Sequence, residues 1–139
     1  MQTDLDINAL VGRKILSAEI NQEKDLVVLD TDHGKLYLTW VGDCCTNCYL
    51  AHFSGADALV GSIVNSVEDT KWDPKEESGG VTETMGTTIV TSKGYVTFES
   101  RAEHNGYYGG WINVSSTGPV DQYRRVSQAI VQTKPLEDF

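Results

Sequence analysis

The sequence lacks the features that mark secreted and membrane proteins. Its three cysteines are crowded between positions 44 and 48, whereas a disulfide framework has an even number of cysteines spread along the chain. No apolar run approaches the roughly 20 residues that a membrane helix needs. Met1–Leu10 carries Asp4 and Asp6 instead of the basic start of a secretory signal. We therefore expect a reducing cytoplasm and no membrane association.

Basic residues are also scarce. The chain has 11 Lys and Arg against 20 Asp and Glu, which gives a formal net charge of −9. A surface of that sign repels a phosphate backbone, so we expect no binding to long nucleic acids. The charge is compatible with a basic protein partner, which the acid-rich stretch 68–83 could contact, or with solubility alone.

The familiar signatures of catalysis are missing as well. The sequence contains no Gly-x-Ser-x-Gly, no His-Glu-x-x-His and no phosphate-binding loop of the Walker type, each of which marks a large class of enzymes. We therefore favour a protein that binds over one that catalyses, and we expect no cofactor.

The chain does contain an internal similarity, which is its most informative feature. Residues 8–19 align with residues 57–68 at an offset of 49, with six of twelve positions identical, and residues 27–38 resemble residues 87–98 at an offset of 60. A chance match of short apolar words is the alternative. The similarity predicts one domain, 1–139, with pseudo-repeat halves at about 7–50 and 56–116 and a C-terminal segment at 117–139.

Each half shows the same order of local signals. A capped helical turn ends at a glycine. A strand follows, around Lys14–Ile20 in one half and Ser62–Val67 in the other, and then a hairpin that turns at Gly34 or Gly94. Leu36, Leu38 and Trp40 alternate along one return strand, and Val96 and Phe98 along the other.

These signals predict an α+β fold that is mainly antiparallel β, with two pseudo-repeated halves that each contain a short helical turn, a strand and a β-hairpin. We expect a further strand at Trp111–Val114, a long exposed loop at Asp69–Thr84 and a short amphipathic C-terminal helix at Gln122–Thr133. Residues 135–139 are expected to fray. Exposed edge strands favour a homo-oligomer.

The unusual chemistry lies in the two segments that follow the return strands, 42–52 and 101–111. Arginine offers a planar fork for phosphate, aromatic rings offer faces for a base, and glycines allow close backbone approach. The second segment therefore predicts a site for a small anionic ligand such as a signalling nucleotide. Its candidate binding residues are Arg101, His104, Asn105, Tyr107, Tyr108 and Trp111. The alternative is a glycine-aromatic corner whose rings pack in the core.

The cysteines admit two further interpretations. Cys45, Cys48 and His52 have the spacing of one zinc knuckle, which Cys44 or His104 could complete. Structural zinc sites usually show two ligand pairs, so we expect no metal and treat the thiols as buried small hydrophobes. A thiol nucleophile would need a base nearby, and no pattern fixes His52 or His104 beside a cysteine.

Three stretches carry a resemblance to a known family: Gly-Asp-Cys-Cys at 42–45, Leu-Val-Gly-Ser at 59–62, and Arg-x-x-x-Asn-Gly-Tyr-Tyr-Gly-Gly at 101–110. The chain resembles, over roughly Gly34–Trp111, a family of short uncharacterised proteins of tailed bacteriophages and prophages. This resemblance implies a phage accessory protein that acts in the bacterial host cytoplasm. It carries no assigned catalytic residue.

We therefore expect a non-enzymatic phage protein that antagonises host defence, either by sequestering a small nucleotide signal or by plugging a basic defence protein. A small cysteine- or metal-dependent enzyme is the second class. A minor virion structural protein is the third.

Overall fold

The computed structural model describes residues 4–43, 46–77, 79–106, 109–119 and 132–139. Helix is confined, within these ranges, to a 3-10 turn at Ile7–Leu10 and to α1 at Ala56–Leu59. The strands are β1 (Asp4–Leu5), β2 (Ile15–Asn21), β3 (Leu26–Thr31), β4 (Gly34–Gly42), β5 (Asn47–Ser54), β6 (Val64–Asp69), β7 (Asp73–Glu77), β8 (Gly80–Thr91), β9 (Gly94–His104), β10 (Gly110–Ser115) and β11 (Thr133–Pro135).

The strands form two antiparallel sheets. The first has the order β1-β10-β4-β3-β2-β11, and the second has the order β5-β9-β8-β6 with β7 also paired to β8. The return strands of the two hairpins are β4 and β9. The strand that follows each of them joins the other sheet, since β5 pairs with β9 and β10 pairs with β4. This exchange connects the sheets through the chain itself and brings the two candidate segments to the same end of the molecule.

One apolar core lies between the sheets. Trp40, Phe53 and Phe98 are all at most 2% exposed, and the ring of Phe98 lies 6.1 Å from Trp40 and 5.4 Å from Phe53. The Trp40 indole donates a hydrogen bond of 2.7 Å to the hydroxyl of buried Ser100 on the opposite sheet. Each ring of this size stabilises the fold by roughly 1.5–3 kcal/mol through burial, and the indole bond fixes the relative position of the sheets.

The predicted alternation of the return strands is confirmed. Leu36, Leu38, Trp40, Val96 and Phe98 are all buried. The predicted mainly antiparallel β class is confirmed too. The α component comprised a short helical turn in each half and the C-terminal helix. The described residues contain only one such turn in each half, at Ile7–Leu10 and Ala56–Leu59. Residues 122–131 of the expected helix lie outside the described residues, while Thr133 begins a strand instead.

Two expectations about irregular segments were wrong. The stretch Asp69–Thr84 is not a long loop, because β7 pairs with β8 from Asp73↔Thr84 to Glu77↔Gly80 and so extends the second sheet. Residues 135–139 are not frayed either. The backbones of Phe53 and Phe139 exchange two hydrogen bonds of 2.9 and 3.0 Å. In both cases the segment is held by backbone hydrogen bonds, which a polar sequence does not reveal.

The two hairpins share a set of contacts. Thr31 accepts the His33 N–H and donates to the Gly34 carbonyl, and Thr91 makes the corresponding bonds to Lys93 and Gly94. Lys14 and Ile63, 49 residues apart, face each other in an isolated antiparallel bridge.

Candidate functional site

The segments at 42–48 and 103–111 meet at one end of the two sheets, which we call the loop end. Gly42 pairs with Gly110 in register, and the Asp43 N–H donates to the Gly109 carbonyl at 3.1 Å. A Cβ on Gly110 would lie 2.6 Å from Cys48 Sγ, closer than atoms can pack. Glycine at position 110 is therefore needed for the two segments to touch.

Cys48 is buried at this junction. It is 5% exposed, and its Sγ lies 4.0 Å from the Trp111 carbonyl oxygen. Burial raises the pKa of the Cys48 thiol to about 12, because the low-dielectric surroundings disfavour the thiolate. Cys48 is thus a neutral thiol at physiological pH, which argues against it as a nucleophile.

The zinc-knuckle spacing does not produce a common site for its described members. Cys48 faces the core from β5, whereas the His52 side chain is 60% exposed on the outer face. These two residues cannot bind the same ion. Cys44 and Cys45 lie outside the described residues. No cluster of three or more potential metal ligands occurs in the part of the chain that the structure describes.

His104 and Glu83 form a largely buried pair on the inner face of the second sheet. His104 Nε2 lies 3.0 Å from Glu83 Oε2, and the two side chains are 6% and 20% exposed. The Gly106 N–H donates to His104 Nδ1 at 2.9 Å, so Nε2 is the nitrogen that donates to the carboxylate. Both ring nitrogens are therefore occupied, and His104 braces the turn after β9.

Arg101 points the opposite way, onto the outer face of the second sheet. Its guanidinium donates to Glu99 Oε2 at 2.9 Å and remains 38% exposed. Its register partner on β5 is Tyr49, whose hydroxyl donates to Glu103 Oε2 at 3.1 Å. Desolvation is the largest cause that raises the pKa of Tyr49, followed by the nearby Glu103 charge.

The predicted ligand residues are thus only partly brought together. Arg101 and His104 extend from opposite faces of β9, so they cannot line one pocket from this strand. Asn105 is exposed on the following turn, and Trp111 is half-buried on β10. Tyr107 and Tyr108 lie outside the described residues. Ligand binding by this set stays a prediction.

Sequence reasoning missed Tyr49 and the carboxylates beside Arg101. Glu99 and Glu103 were visible as alternate residues of a return strand, and alternation places them on the face that Arg101 shares. Tyr49 could not be assigned, because its position opposite Arg101 depends on the crossing of β5 to the other sheet.

A second region that sequence reasoning missed is a cavity of about 250 Å³ at the loop end. It is lined by Glu23, Asp25, Trp40, Gly42, Thr46, Asn47 and Cys48. Asn21 Nδ2 donates to Asp25 Oδ1 at 2.6 Å, and Asn21 Oδ1 accepts the N–H groups of Asp25 and Leu26. Desolvation, the largest cause, raises the pKa of Asp25.

The fold defines a class: small proteins of two antiparallel β-sheets in which the strand after each hairpin pairs in the opposite sheet. No helix among the described residues is long and apolar enough to cross a membrane. The sequence matches the family model "Domain of unknown function (DUF7448)" over residues 8–114, which is 107 of 139 residues. The chain belongs to this family. No curated protein and no solved structure matches the chain significantly.

Proposed function

We propose that the protein is a non-enzymatic phage accessory protein that sequesters a small nucleotide signal of the bacterial host in the host cytoplasm. The observation that carries the proposal is the group around Arg101 on the outer face of the second sheet. Arg101 is partly exposed beside Tyr49 and is flanked by Glu99 and Glu103.

This group offers the contacts that a small nucleotide needs. The guanidinium can bind one phosphate in a bidentate way. A tyrosine ring provides a stacking face, worth roughly 1–3 kcal/mol per base. Carboxylates can accept the ribose hydroxyls, as acidic residues do in dinucleotide sites. The carboxylates also disfavour chains of many phosphates, so the site suits a ligand with few phosphates and free ribose hydroxyls.

The test is calorimetry against cyclic dinucleotides and cyclic ADP-ribose. We expect one of them to bind, and Arg101→Ala and Tyr49→Ala each to weaken it at least tenfold, since a charge-assisted bond or a stacked base supplies that much free energy. Lys35→Ala removes an exposed charge on the other sheet and should bind like the parent. If no nucleotide binds, or if Lys35→Ala weakens binding as much as Arg101→Ala, this proposal is wrong.

A second candidate function is the docking of a basic defence protein on the same outer face. Strand alternation places the carboxylates of Glu68, Asp73, Glu99 and Glu103 on this face. Lys75 and Arg101 also lie on this face, Arg101 is already paired with Glu99, and His52 lies 3.5 Å from the same carboxylate.

The docking candidate is tested with a fluorescent nona-arginine peptide at two salt concentrations. Glu68→Gln/Asp73→Asn/Glu103→Gln should lose at least tenfold in affinity. Asp30→Asn/Asp57→Asn/Glu137→Gln changes the net charge equally and should stay within twofold, because charges beyond about 8–10 Å are screened. Equal losses would mean that only the overall charge attracts the peptide.

The proposal includes two structural predictions, that the protein forms a homo-oligomer and that its two halves are duplicates of one unit. Six apolar side chains between 38% and 71% exposed support contacts with a second copy: Leu5, Val11, Leu16, Val60, Ile63 and Tyr95. The shared hairpin contacts and the Lys14–Ile63 bridge support a duplicated unit. Light scattering at micromolar concentration tests the oligomer, and a monomer would contradict it.

The two other functional classes, a small cysteine- or metal-dependent enzyme and a minor virion structural protein, can be tested by direct measurement. Stoichiometric zinc in the purified protein would favour the metal-dependent enzyme. Abundance in purified phage particles would favour the virion component.

A further inference from the structure

Asparagine followed by glycine occurs once in the sequence, at Asn105-Gly106. The pair lies on the turn between β9, which ends at His104, and β10, which begins at Gly110. Both residues are exposed, so water reaches them. Gly106 has a φ angle of 104°, which glycine adopts at little cost. Because glycine has no side chain, the backbone nitrogen of Gly106 is not shielded by its own residue.

The hydrogen-bond partner of the Gly106 N–H is a base. This group donates to His104 Nδ1 at 2.9 Å, within the range of about 2.6–3.2 Å over which a general base takes a proton. The other ring nitrogen, Nε2, lies 3.0 Å from Glu83 Oε2. A carboxylate on one ring nitrogen holds a histidine in the tautomer whose second nitrogen can act as a base. His104 is thus oriented to remove the Gly106 amide proton.

Two other exposed asparagines have different surroundings. The N–H of the residue after Asn8 donates to the Asp6 carbonyl at 2.9 Å, and a carbonyl oxygen is not a base that takes up this proton. Asn65 is followed within β6 by Ser66, whose side chain shields the backbone nitrogen. Asn105 therefore combines exposure, a following glycine and an adjacent base.

We propose that Asn105 is a self-modification site, at which the side-chain amide is lost and a carboxylate is formed. The Gly106 nitrogen attacks Asn105 Cγ and forms a bond to it, while His104 Nδ1 accepts the proton of that nitrogen. The bond between Asn105 Cγ and Nδ2 then breaks. The amino group leaves as ammonia with the proton that His104 returns, and the product is a cyclic succinimide.

A water molecule opens this ring in one of two ways. Addition of water to Cγ, with cleavage of its bond to nitrogen, gives aspartate in an unchanged backbone. Addition to the main-chain carbonyl carbon, with cleavage there, gives isoaspartate, whose backbone runs through Cγ and is longer by a methylene group. Either product adds a negative charge to the turn after β9. The charge of this turn therefore changes with the age of the protein, and water is the only co-reactant.

The test is to incubate the protein at neutral pH and to follow each asparagine by peptide mapping with mass spectrometry, with ammonia release measured in parallel. We expect Asn105 to react at least about tenfold faster in the folded protein than in guanidinium-unfolded protein. The reason is that folding puts the base in place, and general-base catalysis contributes roughly 10²–10⁴-fold. Asn65 is the internal control, which should react no faster in the folded protein than in the unfolded one.

A variant separates the base from the hydrogen bond. In His104→Gln the amide oxygen can accept the Gly106 N–H and the amide nitrogen can donate to Glu83, but glutamine is not a base. We expect the rate at Asn105 to fall at least about tenfold, with thermal unfolding showing that the variant is folded. His33→Gln changes an exposed histidine elsewhere and should react like the parent.

Two outcomes would overturn the inference: Asn105 reacts no faster in the folded protein than in the unfolded one, or folded His104→Gln reacts like the parent. If His104→Gln does not fold, the comparison of folded and unfolded parent decides alone. The rates are measured without nucleotide, so neither outcome bears on the nucleotide proposal for Arg101 and Tyr49.

Discussion

Two acidic side chains sixty residues apart, Glu23 and Glu83, lie at the loop end in contrasting surroundings. Glu83 accepts a hydrogen bond from buried His104, whose second nitrogen is occupied by the Gly106 N–H. Glu23 lines a cavity next to Asp25, and the described residues around that cavity include no basic side chain. The first region is complete in the folded chain. The second shows no ion pair among the described side chains, and this difference separates a supported acid from an unsupported one.

The strongest test of the comparison is to make the complete region incomplete. His104→Ala would leave the Glu83 carboxylate without its donor, and we expect a loss of roughly 2–3 kcal/mol in the free energy of unfolding. Urea denaturation measures it. His33→Ala serves as the control, because His33 is 67% exposed next to Asp32 and exposed substitutions usually change stability by less than about 0.5 kcal/mol. Equal effects of the two substitutions would show that the buried pair is not structural.

The junction between the two regions is the next most sensitive point. Gly110→Ala would put a methyl group 2.6 Å from Cys48 Sγ, and we expect this overpacking to cost about 1–3 kcal/mol. Gly86→Ala has its nearest neighbour at 3.7 Å and should be close to neutral. If both variants melt at the same temperature, the segments are not tightly packed against each other.

A smaller effect of opposite sign is expected in the cavity. The raised pKa of Asp25 means that the folded state loses stability as pH rises above the ordinary aspartate value of 3.8. Asp25→Asn keeps an acceptor for Asn21 and removes the charge, so we expect it to stabilise the protein at pH 7 by about 1 kcal/mol. The gain should disappear below pH 3.8, where Asp25 is protonated in both states. Unfolding curves at a series of pH values measure it.

Asp32 provides the matched comparison for Asp25. Its pKa is lowered, first by the Lys14 backbone N–H and then by His33. Asp32→Asn should therefore destabilise the protein at pH 7 and lose its effect as pH falls through the lowered pKa. If the two variants shift stability in the same direction, the contrast between a supported and an unsupported carboxyl is wrong.

The last prediction concerns reactivity and involves no change in stability. With a pKa of about 12, Cys48 is thiolate at pH 8 in only about one molecule in 10⁴. On a Cys44→Ser/Cys45→Ser background, the native protein should react with Ellman's reagent far more slowly than the urea-unfolded protein. Rapid stoichiometric labelling of the folded protein would show that the junction opens.

Sequence pattern alone predicted the parts of the fold that depend on local order. The return strands alternate between buried and exposed residues because successive side chains point to opposite faces of a strand. The positions of Gly34 and Gly94 at hairpin turns follow from their positive φ angles, 102° and 142°, which glycine adopts at little cost. The pairing of β7 could not be predicted, since polar residues of a hairpin extension have the composition of a loop.

The candidate sites show the same division. The sequence by itself indicated that the unusual chemistry lies near the ends of the two return strands. Arg101 and His104 lie on β9 itself and not after it, and alternation along that strand puts Glu99, Arg101 and Glu103 on one face. Only the tertiary structure decided that Tyr49 lies opposite Arg101, that Cys48 and His52 are separated by a sheet, and that Glu23, Asp25 and Thr46 surround one cavity. Periodicity fixes the face on which a side chain lies. Its neighbours are fixed by the crossing of β5 and β10 between sheets, which depends on how the whole core packs.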